Sequence, residues 1–333
     1  MIRVALLSTA AINELLLAGA RGSELVEVIG VASRERERAE AYARERGLER
    51  AYGGYEELLA DSDVDVVYVA LPNALHVEWG IRALEAGKHV LSEKPLSRRP
   101  SEVERAFDAA ERAGRILMEG FMYRHHPQTK RFAQLVSDGE IGELRLVRSQ
   151  FSFTLDRPHD VRWDRELGGG SLLDLGCYCT NLMRLLAGEP ERVYAEQTTA
   201  PSGVDLRFAA ALRFRDGVLG HFDCAFDLPR RVSFEAVGSD GSAVLVQPFI
   251  ADEVTLELRR GAELVSSETV SANRYHLELN NLGRAIQGEE QPLLDRHESV
   301  AQASALDALL RSAESGHVTS LVEAQDTRNE GGR

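Results

Sequence analysis

The chain has 333 residues, a formal net charge of -14 and a hydrophobic content of 44%. Two domains of roughly 150 residues fit that length. The acidic balance argues against a nucleic-acid partner, and no apolar run reaches the roughly 20 residues of a membrane span. Three cysteines, Cys177, Cys179 and Cys224, offer no disulfide framework and fit a reducing, cytoplasmic compartment. Cys177 and Cys179 sit too close for a usual zinc pair, so no metal is expected.

Residues 2–7 form a continuous apolar strand, followed by a helix over 11–18. A second strand spans 25–32, and 36–46 is a charged, alanine-rich helix. Residues 64–71, Val-Asp-Val-Val-Tyr-Val-Ala-Leu, make a β-branched strand that stops at Pro72-Asn73, and a helix runs through Trp79 to Ala86. Residues 88–92 are a further strand, ended by Pro95. Residues 101–113 are helical, with Ser101 as N-cap and Glu104 completing a capping box, and 116–119 end the series. Such alternation predicts a parallel sheet with crossover helices. The pattern then changes: a long strand over 144–153, a helix over 171–186, and short strands from 193 to about 265 with turn signals such as Ser239-Asp240-Gly241. Two helices, near 275–286 and 299–315, precede a polar tail over 325–333. The expected class is α/β: a doubly wound, dinucleotide-binding Rossmann domain over 1–122, then an α+β domain with a mainly antiparallel open sheet over 123–333. The C-terminal helices are free to pack back on the first domain.

A dinucleotide fold needs small residues after its first strand, because the backbone approaches a pyrophosphate and a helix N-terminus points at it. Here Ser8, Ala10 and Asn13 replace the usual glycines in the turn Ser8-Thr9-Ala10-Ala11-Ile12-Asn13. The hydroxyls of Ser8 and Thr9 are expected to bond a phosphate. Strand two ends Val31-Ala32-Ser33-Arg34 with no carboxylate at its tip. A carboxylate there holds the ribose hydroxyls of NAD, whereas Ser33, Arg34 and Arg38 suit a 2′-phosphate. NADP is therefore expected over NAD.

Lys94, in Ser92-Glu93-Lys94-Pro95, stands at the carboxyl end of a strand, the edge where open α/β sheets bind ligands. A second site follows Gly168-Gly169-Gly170. At about 100° per residue, Ser171, Asp174, Tyr178 and Asn181 share one side of the next helix, and such a polar stripe is expected to face a wet cleft. Arg124, with neighbours His125 and His126, is a further candidate, with one histidine packing at a helix start and the other lining the cleft. Arg162 and Trp163 form either a lid against a sugar ring or a structural loop.

The segments Glu93-Lys94-Pro95, Ala86-Gly87-Lys88-His89-Val90-Leu91 and Leu71-Pro72-Asn73-Ala74-Leu75-His76 resemble the glucose–fructose oxidoreductase / inositol dehydrogenase family over nearly the whole chain. Residues 118–127 and 167–174 are similar to its branch of dimeric dihydrodiol dehydrogenases and NADP-dependent xylose dehydrogenases. The resemblance implies cofactor contacts from Ser8, Thr9, Ala10, Ala11, Ile12, Ser33, Arg34, Arg38, Leu71, Pro72, Asn73, His76, Glu93 and Lys94. It implies Lys94 as a catalytic residue and places Tyr178 on the catalytic helix, while Arg124, Arg162, Trp163 and Asp174 are the candidate substrate contacts that the residues themselves offer beside them. Inositol dehydrogenase-like members carry a histidine where this chain has Tyr178. Free tyrosine has a pKa of about 10; the Lys94 ammonium is expected to lower it, making tyrosine the acid/base and lysine its electrostatic partner. Asp174 is expected to bind a neighbouring hydroxyl. The implied activity is hydride transfer between NADP(H) and a sugar or cyclic polyol, an aldose 1-dehydrogenase foremost. The alternatives are a ketosugar reductase, a dihydrodiol dehydrogenase, or a non-catalytic NADP-binding sensor. A homodimer or homotetramer is expected through the C-terminal sheet, whose strands over 206–226 read as apolar on both faces.

Overall fold

A computed structural model describes residues 1–321; the polar tail over 325–333 lies outside them. Six parallel strands, β1 (Ile2–Leu7), β2 (Val26–Ala32), β3 (Arg50–Tyr52), β4 (Val66–Val69), β5 (His89–Glu93) and β6 (Leu117–Gly120), form a sheet in the order β3-β2-β1-β4-β5-β6. Helices α1 (Asn13–Ala20), α2 (Arg36–Arg46), α3 (Tyr55–Ala60), α4 (His76–Glu85) and α5 (Pro100–Ala113) make the crossovers. Both faces are covered, so Val4 to Leu7 of β1 and all of β4 are buried without alternation. The strand order reverses between β1 and β4, which opens a crevice at their carboxyl ends. Ser101 does not cap α5. The helix starts at Pro100, and the Ser97 hydroxyl accepts from the Arg99 N–H instead.

The second sheet has nine strands: β7 (Leu144–Thr154), β8 (Pro190–Thr199), β9 (Asp205–Phe214), β10 (Leu219–Ala225), β11 (Asp227–Gly238), β12 (Ser242–Val246), β13 (Glu253–Arg260), β14 (Glu263–Ser271) and β15 (Thr319–Ser320). Their order is β14-β13-β12-β11-β7-β10-β9-β8-β15, antiparallel except between β7 and β10. Helices α6 (Pro127–Ser137), α7 (Cys177–Ala187) and α9 (Arg296–Ser315) cover one face. Phe208, Ala210, Leu212, Phe214, Gly220 and Phe222 all point to that face and are buried. The other face of β9 and β10 presents Arg207, Ala209, Ala211, Arg213, Leu219 and His221. The expected second apolar face is thus corrected: strand alternation places the large hydrophobic residues of β9 and all but Leu219 of β10 on the helix-covered side.

Helix α8 (Arg274–Ile286) packs on α1 of the first sheet, and α9 packs on α5. A Cβ on Gly19 would lie 2.7 Å from the Cβ of Tyr275, so glycine is what lets α1 and α8 meet. Arg296 fastens α9 to α5 through Glu104, Asp108 and Glu111. No described helix is long and apolar enough to cross a membrane.

Candidate active site

The turn after β1 compensates for its missing glycines. Ser8 adopts φ 141°, a region ordinarily left to glycine, which costs on the order of 1–3 kcal/mol. Its hydroxyl donates to the Ala70 carbonyl (2.7 Å), and Asn13 Nδ2 donates to its carbonyl (2.8 Å). The Ser8 hydroxyl also accepts from the Ala10 N–H, so it is committed to the turn, and its expected phosphate bond is corrected. The N–H groups of Ala11 and Ile12 have no partner among the described residues; they stand ahead of α1, where a pyrophosphate would accept from them.

At the tip of β2, Ser33 is buried, and its hydroxyl accepts from the Glu35 N–H at 3.3 Å. Arg36 pairs with Glu57 at 2.7 Å. Arg34 and Arg38 are exposed and have no carboxylate partner among the described residues. Unpartnered donors at the turn and unpaired guanidinium groups at the β2 tip fit a dinucleotide carrying a 2′-phosphate. Leu71, Pro72 and Asn73 follow β4 on the same edge and are half-buried. Asn73 Nδ2 donates to the Gly168 carbonyl (2.9 Å), and the Ala74 N–H to the Leu167 carbonyl (3.1 Å). These bonds clasp the first sheet's edge to the glycine run and engage one hydrogen of the Asn73 amide. His76 is buried, with ring nitrogens against the Pro95 and Leu71 carbonyls at 2.9 and 2.8 Å. It ties the β4 loop to the turn after Lys94 and offers a cofactor no nitrogen, which corrects its expected role.

Lys94 extends from the end of β5 toward the segment before α7. Its ammonium donates to the Asp174 carbonyl (2.8 Å) and to Asp174 Oδ1 (3.2 Å). Asp174 Oδ2 accepts from Arg162 Nε (2.7 Å), and Arg162 also reaches Asp160 at 3.0 Å. Burial is the largest single influence and opposes the charge on Lys94, but Asp174, Cys177 and Glu93 together outweigh it and hold the ammonium above its ordinary pKa. Burial likewise opposes the Asp174 carboxylate, and Lys94 with Arg162 holds it below the ordinary range. Each Asp174 oxygen therefore meets one cation, Oδ1 that of Lys94 and Oδ2 that of Arg162. Glu93 accepts from the Tyr68 hydroxyl; burial raises its carboxyl against the pull of Lys94.

Tyr178 is 4% exposed. Its ring sits among Phe121, Tyr123, Phe151 and Phe249, with centroids 5.4 to 5.8 Å away. Lys94 Nζ lies 4.6 Å from the ring centroid, and the phenol meets Met122 Sδ at 3.7 Å. Burial, with Glu93 and Cys177 adding to it, holds the phenol well above its ordinary pKa. The expected lowering by Lys94 is thus corrected: the ammonium faces the ring, not the oxygen, and desolvation dominates.

The expected polar stripe is not one surface. Residues Leu172–Gly176 form a π-turn ahead of α7, which breaks the 3.6-residue period behind the expectation. Ser171 donates to Asp205 (2.7 Å), and Asn181 accepts from the Tyr123 hydroxyl (2.6 Å). Both are fully buried, so distant partners rather than water satisfy them. Arg124 is buried against Asn181 and Glu298 (3.1 and 3.2 Å), which corrects its expected substrate contact. His126 caps α6 as expected of a helix-start histidine; His125 is buried rather than lining the cleft. Trp163 Nε1 donates to the Arg157 carbonyl, and the ring meets Phe226 edge-on at 5.5 Å.

Sequence reasoning missed Asp205 and Asp160. Asp205, whose carboxyl burial pushes up to about 6, accepts from Ser171 and from the Leu172 N–H and so fixes the start of the π-turn. No local signal marks it. Asp160 has one: an acid two residues before an arginine, whose carboxylate accepts from that arginine's backbone.

A six-stranded sheet in this order, a cradle for a dinucleotide and a charged lysine on the sheet's carboxyl edge together define a nicotinamide-dependent oxidoreductase. The pattern described as "Oxidoreductase family, NAD-binding Rossmann fold" matches residues 2–121, and that of the "GFO/IDH/MocA C-terminal domain" matches residues 129–244; the chain belongs to the GFO/IDH/MocA oxidoreductase family. It is 41% identical to an NADP(+) D-xylose 1-dehydrogenase of Haloferax volcanii, over 89% of this chain and 92% of that protein. It is 35% identical to a trans-1,2-dihydrobenzene-1,2-diol dehydrogenase of Oryctolagus cuniculus, over 67% of this chain and 68% of that protein. The solved 3-ketoreductase of Actinomadura kijaniata, in complex with NADP and TDP-benzene, superposes with a TM-score of 0.88 at 32% identity, covering 93% of this chain and 97% of that one. Structures of that ketoreductase also include a tyrosine-to-phenylalanine variant and variants of one lysine.

Proposed function

We propose that this protein is an NADP-dependent sugar dehydrogenase that oxidises a neutral pentose or hexose at C1. The observation that carries this reading is the Lys94–Asp174–Arg162–Asp160 chain, in which two cations alternate with two carboxylates beside the cofactor edge. These four charges sum to zero, which suits a hydroxyl-rich neutral substrate better than a sugar phosphate or sugar acid. The identity with the xylose dehydrogenase supports the aldose. The exposed, unpaired Arg34 and Arg38 support NADP, as do the relatives that use it.

Bound at this edge, the nicotinamide supplies hydride exchange. Lys94 orients the reacting oxygen through its ammonium, and Tyr178 exchanges the proton of that oxygen. The lysine and tyrosine varied in the ketoreductase stand at the same sequence separation as Lys94 and Tyr178, which supports this pair. A cofactor-reduction screen over aldoses, polyols and ketosugars with both nucleotides tests the reading. Turnover of an aldose with NADP is expected; no turnover of any sugar would leave the NADP-sensor alternative standing.

A second reading, reduction of a ketosugar, has one observation in its favour. Tyr178 is held as a neutral phenol, and a neutral phenol donates a proton to a developing alkoxide more readily than it takes one from an alcohol. Initial rates in both directions on one sugar pair separate the two readings.

We further propose a cytoplasmic homo-oligomer formed through the uncovered face of the nine-stranded sheet. The three free cysteines, all buried, suit a reducing compartment. Small Ala209 and Ala211 between Arg207 and Arg213 allow close approach of a second copy. A monomeric mass in light scattering at micromolar concentration would refute the assembly.

A further inference from the structure

The glycine run before α7 has a geometric purpose that the loop reading of Arg162 overlooked. The Gly170 N–H donates to the Arg162 carbonyl (3.0 Å), and the Gly169 N–H to the Asp164 carbonyl (2.8 Å). A Cβ on Gly169 would lie 2.3 Å from the Arg162 carbonyl oxygen. Only glycine lets the backbone of Arg162 lie against the start of the π-turn. Asp160 grips the same residue twice, accepting from its backbone N–H (3.1 Å) and its guanidinium (3.0 Å). The Asn73 and Ala74 clasp pins the far end of the segment. Arg162 is thus fixed from three directions, and its Nε meets Asp174 Oδ2 at 2.7 Å.

This arrangement governs how many hydrogens Lys94 has available. An ammonium carries three donors. One goes to the Asp174 carbonyl and one, at the longer 3.2 Å, to Asp174 Oδ1; the third has no acceptor among the described residues. A carboxylate without a second partner would turn both oxygens onto the lysine and take that third hydrogen. We propose that Arg162 is a positioning residue: by holding Asp174 Oδ2, it confines the carboxylate to one oxygen on Lys94 and leaves one ammonium hydrogen for the substrate oxygen.

The inference rests on the proposed sugar chemistry for its kinetic test but not for its thermal one. Asp174 is faced by Lys94 and Glu93 from β5 and its end, by Arg162 from the loop, and by Cys177 and Tyr178 from its own helix. Arg162 and Lys94 lower its pKa, so Arg162→Gln moves it up. Two readouts are expected in Arg162→Gln. The acid limb of kcat/KM moves to higher pH, and kcat falls by roughly 100-fold, the scale of a misplaced catalytic group, with the NADP Kd unchanged. Separately, without substrate, the loss of Tm on acidification is smaller than in wild type, because that loss runs from the unfolded-state pKa of Asp174 down to its folded-state pKa, and Arg162→Gln raises the latter. Arg162→Lys, which keeps the charge but loses the fork, restores most of the thermal profile and only part of kcat. Unchanged acid limbs in Arg162→Gln, in both kinetics and Tm, overturn the proposal. So does a fall in activity that Arg162→Lys fully reverses, because that would require charge alone. If wild type turns over no sugar, the sugar-dehydrogenase reading fails while the Tm comparison still decides the role of Arg162.

Discussion

The two halves of the cleft are built on opposite principles. On the cofactor edge, donors are left without partners: the Ala11 and Ile12 N–H groups point out of a strained turn, and Arg34 and Arg38 stand exposed. On the facing side, the charged side chains are paired: Lys94 with Asp174, Asp174 with Arg162, and Arg162 with Asp160. An edge that must take up a polyanion from water keeps its donors idle until the ligand arrives. A site that must hold a lysine charged while largely buried needs its counter-charges in place beforehand. Affinity is stored on one side and geometry on the other.

The largest effects should come from the paired side. Lys94→Ala is expected to lower kcat/KM by about 10⁴-fold, the upper end for loss of an acid–base partner, while NADP still binds with near wild-type Kd by calorimetry. Loss of NADP binding in equal measure would erase the division between the halves. Tyr178→Phe should cost about 10²-fold in kcat, with the fold intact because, among the described residues, the hydroxyl's one hydrogen-bond partner is a methionine sulfur; wild-type turnover would remove tyrosine from the chemistry. On the open side, Arg34→Ala and Arg38→Ala should each reduce the NADP-over-NAD ratio of kcat/KM by one to two decades, the worth of a charge-assisted bond at roughly 1.5–3 kcal/mol. An unchanged ratio in both would make these arginines a solvated helix face.

A smaller effect concerns Glu119, buried on β6, with one oxygen accepting from the Leu96 N–H and the other unpartnered. Burial raises its carboxyl from the ordinary 4.5 to about 7. Between those values the folded state keeps a proton that the unfolded state has lost. Its contribution to stability is therefore full below pH ~4.5 and is lost as pH rises through about 7. Glu119→Gln should flatten the fall of Tm across that window and be more stable than wild type at pH ~8, by on the order of 1–3 kcal/mol. Parallel Tm curves for the two proteins would show that Glu119 ionises normally.

Long, uniformly apolar segments such as β1 and β4 are legible in the sequence because a strand covered on both faces has no competing pattern. The three residues of β3 and the six of α3 are not, since elements that short carry no period. Lys94 is found by its motif and its place at a strand end. The polar residues of α7 are found as a group but given the wrong surroundings. The π-turn shifts their phase, and Asp205, Tyr123 and Gln302, which satisfy them, lie far away in sequence. The sheet was misread for a different reason: Leu206 to Phe214 alternate with Arg207 and Arg213, yet the intervening alanines blur the contrast. Asp160 and Arg162 depend on a loop conformation fixed by glycines, which composition alone does not reveal.

The docking of α8 on α1 and of α9 on α5 has a consequence during synthesis. The first sheet is complete in the nascent chain once residue 120 has emerged, but the helices that cover α1 and α5 are encoded after residue 273. At about 5–20 residues per second, the early half waits on the order of ten seconds or more with the Gly19 side of α1 uncovered. A ribosome-bound chain halted before α8 should therefore attract chaperones that bind apolar surfaces, and one extended past α9 should release them.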